Sequence, residues 1–338
     1  MKPALELSSQ FQKYFDEPIK GIEDLEHAGN NRIYRVSLDS GERILKVYSK
    51  EQHDGWNRGR TEFSTLTKLT NLGFNDVPRP YSFDEGVQIG VYSFERGSPL
   101  QSSELNETHI IEMSNFLARM HKIPPKIVET FPLERTRCLS GDEYFDLLFR
   151  RWSVIEKDFT DKFIGNEARE FFYNTLHQSM IRLEDGFELG EKNWGGKLDI
   201  EEQKVNPGDF GPHNILFDSE KNKYTFHDFE FAGRDDPAKQ LLDFLHHART
   251  SELSRDLKYK FIYNYFRKNP ENAESVMERM KTFDKVIGMN WVLIYLNVLS
   301  ETYQNHLTFG TGNKLEDIVK LRFGKAIEKS KHLSYFND

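Results

Sequence analysis

Apolar and polar residues alternate along "NRIYRVSL" (Ile33, Tyr34, Val36, Leu38) and again along "RILKVYS" (Ile44, Leu45, Val47, Tyr48), on either side of "DSGE". Two such runs around a turn sequence predict a β-hairpin. The period then changes. Phe63, Leu66 and Leu69 recur at intervals of three, which predicts a helix over residues 56–72. "VPRPYSF" and "GVQIGVYSFE" read as two further strands. The order β-β-β-α-β-β predicts a small antiparallel sheet carrying one helix. Ahead of it, residues 1–20 read as an amphipathic helix stopped by Pro18.

"RGSPLQSSE", residues 96–104, is small and polar and reads as a linker. Helical spacing dominates beyond it, beginning with residues 106–121, where Ile110, Met113, Leu117 and Met120 share a face. Further helices are predicted over 141–154, 166–187, 237–249, 252–267, 280–302 and 315–331. Residues 203–232 break the pattern: "NILF" and "YTFHDF" read as two short strands around the charged turn "DSEKNK". No internal repeat or low-complexity tract interrupts the chain.

At 338 residues the chain is too long for one small core, which suggests two lobes. The linker divides it into 1–96, 97–104 and 105–338. A formal net charge of -8 argues against a general nucleic-acid footprint. The single cysteine, Cys138, excludes an internal disulfide and reads as an inert thiol. The first residues hold no apolar core of signal-peptide length. "VIGMNWVLIYLNVLS", residues 286–300, is shorter than a membrane span and contains Asn290 and Asn297. The expectation is a cytoplasmic protein with no membrane segment. Nothing in the pattern reads on oligomeric state.

Chemistry concentrates in "NPGDFGPHNILFD", residues 206–218. Asp209 and Asn214 lie five apart on a loop, and Asp228 closes the second short strand. A hairpin of that length returns Asp228 to the side of Asn214. Carboxylate and amide oxygens are hard ligands suited to Mg²⁺, which keeps waters and bridges substrate phosphates. Asp209 is then a carboxylate beside the metal, able to orient a nucleophile and accept its proton. Lys46 points to the face opposite Leu45 and Val47, and Glu62 follows sixteen residues later on the predicted helix. A strand lysine held by a helix glutamate is the arrangement that grips nucleotide phosphates. "AGNNRIYRV", with Asn30 and Asn31, could cover those phosphates, but it has only Gly29 and does not match G-x-G-x-x-G.

Blander readings stand beside these. Asp209 could be an Asx-turn residue, and Lys46 a solvated strand lysine. His213 reads as a loop-bracing residue and His227 as a packed core histidine. His246 and His247 read as surface or packing residues. Glu230, two after Asp228, is an outer support for the metal or no part of it. Trp291 and Tyr295 sit at helical spacing. They pack a core or line an acceptor pocket, where they could meet a cation. Asn290 and Asn297 meet the acceptor or satisfy buried groups.

Together these motifs resemble the aminoglycoside phosphotransferase and choline kinase family. "PGDFGPHN" fills its H-G-D-x-x-x-x-N loop, "HDFEFAG" its metal motif, "LARMH" its L-A-x-L-H helix end, and "YSFERGSPL" its hinge. The resemblance spans roughly residues 25–250. It implies a two-lobe, protein kinase-like α+β fold, with a small N-terminal antiparallel sheet lobe that binds nucleotide and a larger, mainly helical lobe for catalysis and acceptor binding. It implies ATP-dependent phosphoryl transfer to a hydroxyl of a small acceptor such as a sugar, aminoglycoside or amino alcohol, with GTP as an alternative donor. By match, Asp209 resembles the base, Asn214 and Asp228 the Mg²⁺ ligands, and Lys46 and Glu62 the phosphate-anchoring pair. The backbone of Ser93, Phe94 and Glu95 resembles the adenine-reading hinge. Asp243 stands near the family's structural acid, although Gln240 occupies the usual position.

One position departs: the family's histidine two before the loop Asp is Pro207 here. That departure and the poor glycine loop motivate a rival reading, a nucleotide-binding pseudokinase acting through a protein partner. A protein kinase is a weaker rival. "HDFEFAG" runs directly into "RDDPAKQLLDF", with no A-P-E segment for an activation loop.

Overall fold

The structure is a computed structural model that describes residues 4–25, 31–49, 55–188, 196–311 and 315–336. It packs into two compact units. The first takes residues 1–112, 129–135 and 205–234, and the second takes 113–128, 136–204 and 235–338. The sequence division at 97–104 follows chain order, whereas these units interleave.

In the first unit, β1 (Gly21–Leu25), β2 (Arg32–Leu38), β3 (Gly41–Val47), β4 (Pro80–Asp84) and β5 (Ile89–Ser93) form one antiparallel sheet ordered β1-β2-β3-β5-β4. The hairpin predicted from alternation is β2–β3, with Ile33 paired to Lys46 and Lys46 in turn to Gly90. Alternation decides which face each residue serves. Tyr34, Val36, Leu45 and Ile89 form one core with Leu7 and Phe11 of α1 (Ala4–Phe11). Lys46 and Tyr92 turn to the other face, which α2 (Arg58–Asn71) covers. Asn57 caps that helix by accepting from the Arg60 amide. Gly59 lets it approach: a Cβ there would sit 2.6 Å from the Phe83 ring and 2.8 Å from Tyr48.

Residues read as a linker are held in place. β6 (Ser98–Pro99) pairs with β8 (Ile215–Asp218), the first strand of the hairpin completed by β9 (Lys223–Phe226). Gly97, at φ +128°, brings its backbone within Cβ contact of Phe217. Two very short strands escaped the sequence pattern, β7 (Lys204–Asn206) and β10 (Gly233–Asp235). Three residues are too few to carry a period.

The second unit is mainly helical. It contains most of α3 (Glu107–Met120), then α4 (Pro125–Val128), α5 (Gly141–Lys157), α6 (Asn166–Arg169) and α7 (His177–Glu188). Next come α8 (Pro237–His246), α9 (Arg255–Lys268), α10 (Ala273–Leu296), α11 (Glu301–Thr311) and α12 (Leu315–Lys331). The 166–187 helix forms as predicted, but residues 170–176 within it take the wider π winding. α10 is the spine, packed against α5, α8 and α12.

Buried acids fix this unit. Asp236 caps α8 through the Ala238 amide and accepts from Arg279 Nε at 2.9 Å and the Tyr144 hydroxyl at 3.0 Å. Asp284 accepts from Ser334 Oγ and from the amides of Tyr335 and Phe336, and sits 2.7 Å from His246. His246 is thereby a packing residue, and Cys138 is buried with its thiol in no disulfide. Among the described residues, no helix is long and apolar enough to cross a membrane.

Candidate functional site

Lys46 is the centre of the site. Its strand position buries it to 6% exposure, and a buried ammonium needs partners. Nζ lies 2.7 Å from Glu62 Oε2, 2.6 Å from Asp228 Oδ1 and 3.9 Å from Glu230 Oε2. Burial alone would pull its pKa down. The carboxylates of Asp228, Glu62 and Glu230 outweigh burial and hold the ammonium well above its ordinary range. Asp228 mirrors this: burial pushes it up, and Lys46 overrides burial and holds it below the usual carboxylate range.

Three carboxylates around one lysine leave negative charge in surplus, and Glu230 carries the consequence. Burial first, and the Asp228 charge second, push it up to about 7. Glu230 is also tied down at three points. Asn31 Nδ2 donates to its Oε2 at 2.7 Å, Trp56 Nε1 donates to its backbone carbonyl at 2.7 Å, and Arg58 Nε stands 3.7 Å from Oε1. Asn31 thus reaches the site through Glu230, whereas Asn30 and Gly29 lie outside the described residues.

The loop that begins at Asn206 turns sharply at Gly208, which has φ +84° and no room for a Cβ against Phe231. Pro212–Asn214 then forms one 3-10 turn. Asn214 Nδ2 donates to the Asp209 carbonyl at 2.9 Å, which leaves Oδ1 for another partner. Its own carbonyl accepts from the His227 amide at 3.0 Å. The hairpin therefore returns the His227–Asp228 segment to Asn214, as its length predicts. The strand itself stops at Phe226, earlier than the sequence suggests. Asp228 lies two residues beyond, in the left-handed region at φ +68°. Such backbone in a non-glycine residue is costly and gathers at functional sites. His213 Nε2 stands 3.3 Å from Asp209 Oδ2, the bracing contact expected of it. His227 is half-buried, and the loss of solvent around its ring lowers it to about 4, so it is neutral near pH 7.

The donor set fits Mg²⁺. Asp228 and Asn214 offer oxygens of the kind it takes on adjoining segments, while Glu62, Asp228 and Glu230, each with one carboxylate oxygen within 4.8 Å of the others, surround the Lys46 ammonium.

Ser93 ends β5. Its Oγ accepts from the Arg79 amide at 2.8 Å and donates to Glu95 Oε1 at 2.7 Å. Lys223 holds the other Glu95 oxygen at 2.7 Å, and the Phe94 ring lies under the Arg35 guanidinium at 4.5 Å. A cleft of about 460 Å³ opens among Gly41, Phe94, Glu95, Asp218 and Lys223; Lys46, Asp209 and Asp228 do not line it. In the second unit, Trp291 donates to Asp243 Oδ1 at 3.0 Å and Asn290 Oδ1 accepts from Arg151 Nε at 2.9 Å, so both polar groups have local partners. Asp243 also takes Lys239 at 3.0 Å.

Sequence reading missed two tyrosines. Tyr48 donates to Glu62 Oε2 at 2.7 Å and lies 2.7 Å from the Tyr92 hydroxyl. The signal was available, because Tyr48 is two positions from Lys46 and shares its face.

The model of the phosphotransferase enzyme family matches residues 21–173. No curated protein matches the sequence. Solved structures share the fold over nearly the whole chain. The spectinomycin phosphotransferase APH(9)-Ia, solved with ADP and spectinomycin, is 13% identical and covers 99% of each chain, with a TM-score of 0.66. The choline kinase LicA from Streptococcus pneumoniae is 18% identical over 97% of this chain and 98% of that one, at 0.63. An ethanolamine kinase from Plasmodium vivax is 16% identical over 94% and 85%, at 0.59. The fold is the protein kinase-like fold of the aminoglycoside phosphotransferases and choline kinases, and the resemblance read from the sequence is borne out.

Proposed function

We propose that the chain, a phosphotransferase by family match and fold, is a small-molecule kinase that moves the γ-phosphoryl group of ATP to a hydroxyl of a small acceptor. The observation that carries this reading is the convergence on Lys46 of Glu62 from α2 and Asp228 from the hairpin, at 2.7 and 2.6 Å. The phosphotransferase family match and the kinase neighbours support a hydroxyl acceptor. ATP as donor is supported by neighbours solved with ADP or AMP. The reading belongs to the cytoplasm, where ATP and Mg²⁺ are supplied.

Each residue then has a task. Lys46, steadied by Glu62, grips the α/β phosphates. Asn214 and Asp228 would hold Mg²⁺, which neutralises phosphate charge when bound. Asp209 orients the acceptor hydroxyl and takes its proton as the oxygen attacks the γ-phosphorus. The backbone from Ser93 to Glu95 reads adenine, and Asn31, through Glu230, ties the strand over the phosphates to the metal side. Residues 1–96 are the nucleotide-binding lobe, 97–104 the hinge, and 105–338 the catalytic and acceptor lobe. This division follows role along the chain.

An ADP-release screen across sugars, aminoglycosides, amino alcohols and amino acids tests the reading. One acceptor should give Mg²⁺-dependent turnover that Asp209→Ala abolishes while ATP still binds. Turnover retained in that variant overturns the assignment of the base. ATP binding without turnover on any acceptor favours the pseudokinase.

A further inference from the structure

Glu62 Oε2 accepts from Lys46 Nζ at 2.7 Å and from the Tyr48 hydroxyl at 2.7 Å. The Tyr48 hydroxyl also lies 2.7 Å from that of Tyr92. Proton counting fixes the direction of the chain. A carboxylate paired with an ammonium can only accept, so the one Tyr48 proton goes to Glu62. Tyr48 oxygen must then accept from Tyr92. The order is Tyr92 to Tyr48 to Glu62, with Lys46 donating from the far side.

We propose that Tyr48 and Tyr92 are positioning residues, a hydroxyl relay that fixes the Glu62 carboxylate and through it the Lys46 ammonium. The proposal rests on the kinase reading for what Lys46 does, but on geometry alone for what holds it. Both rings are confined. Tyr48 is 2% exposed and Tyr92 is 3% exposed. Gly59 and Gly90 are the gaps they fill: a Cβ on Gly59 would meet the Tyr48 ring at 2.8 Å, and one on Gly90 the Tyr92 hydroxyl at 2.5 Å. The Lys46 ammonium also stands 5.1 Å from the Tyr48 ring centroid, which adds a cation–π contact. Burial and the neighbouring Glu62 charge raise both hydroxyls above the ordinary tyrosine range, so they remain donors at working pH. Tyr92 immediately precedes Ser93, so the relay runs from the start of the proposed adenine-reading segment to the phosphate-gripping lysine.

The test compares wild type with Tyr48→Phe, Tyr92→Phe, Glu62→Gln and the Tyr48→Phe/Glu62→Gln double variant. The first measurement needs no activity. The ligand-free protein is treated with an amine-acylating reagent, and labelling of Lys46 is followed by mass spectrometry. Tyr48→Phe should raise Lys46 labelling about tenfold, the factor for one hydrogen bond to a charged group. Tyr92→Phe should raise it less. Exposed lysines such as Lys320 should not change. The second measurement separates binding from chemistry. Tyr48→Phe should raise KM for ATP about tenfold and leave KM for the acceptor alone, and it should add nothing in the Glu62→Gln background.

Unchanged Lys46 labelling in folded Tyr48→Phe overturns the proposal, as does an effect that adds fully to that of Glu62→Gln. Should Tyr48→Phe not fold, the labelling of Tyr92→Phe decides. A wild type without turnover overturns the kinase reading and leaves the labelling result to judge the relay.

Discussion

Two groups beside Asp228, the buried Glu230 and the half-buried His227, titrate in opposite directions, and their signs can be worked out. Glu230 is raised from 4.5 to about 7, so the folded state binds its proton more tightly than the unfolded state. Its contribution to stability is present below 4.5 and is lost as pH rises through 7. His227 is lowered from 6.5 to about 4, so the unfolded state takes its proton first. That contribution is present above 6.5 and is lost as pH falls through 4. Between about pH 4.5 and 6.5 the two slopes offset. In metal-free buffer, Glu230→Gln should make the melting temperature climb with pH across that window. His227→Asn should make it fall. Parallel curves for both variants, followed calorimetrically, would refute the assignment. Asp228→Ala leaves Lys46 with one close carboxylate, at 2.7 Å from Glu62. It should lose Mg²⁺-dependent tightening of ATP binding by titration calorimetry, while Mg²⁺-free binding changes little.

Elements were legible where a period ran long enough. The β2–β3 hairpin, α2 and the α5 helix follow from alternation or three-to-four spacing. Lys46 and Glu62 followed as a pair because each sat in phase on its element. Asp228 was legible as a residue but not in its backbone, because φ +68° depends on how the chain leaves β9. α10 begins seven residues earlier than apolar spacing suggested, at Ala273, because its first turns are polar. Tight packing is equally invisible to a pattern, and Gly59 measures it. Alanine is worth about 1 kcal/mol over glycine in a helix, but overpacking costs about 1–3 kcal/mol. Gly59→Ala should therefore destabilise. Gly324, on α12, has open space around its Cβ direction, so Gly324→Ala should stabilise by about 1 kcal/mol. Urea denaturation of the two variants gives the signs directly.

For the whole molecule, the C-terminal segment is as much a part of the second unit's core as any helix. Asp284, 1% exposed, spends one oxygen on Ser334 and on two backbone amides. Leu333 lies against Gly288, where a Cβ would run into the Leu333 carbonyl. Deleting residues 334–338 strands that carboxylate with His246. The expected loss is about 3 kcal/mol, seen as a lower calorimetric melting temperature. Asp284→Asn in the truncated chain should recover part of it, because a neutral amide is cheaper to leave half-satisfied.

The interleaving of the first unit has a consequence in time. Translation proceeds from the N-terminus, so Lys46, Glu62 and the five-stranded sheet exist before the hairpin that bears Asp228 has been made. At about 5–20 residues per second, Asp228 follows the end of β5 by on the order of ten seconds. Throughout that interval the nascent sheet holds a lysine built for three carboxylates and facing one. The first unit can close only after residues 205–234 leave the ribosome, when much of the second unit's sequence has already emerged. Folding during synthesis therefore cannot be strictly first unit, then second, and a fragment released at residue 104 should fail to hold nucleotide.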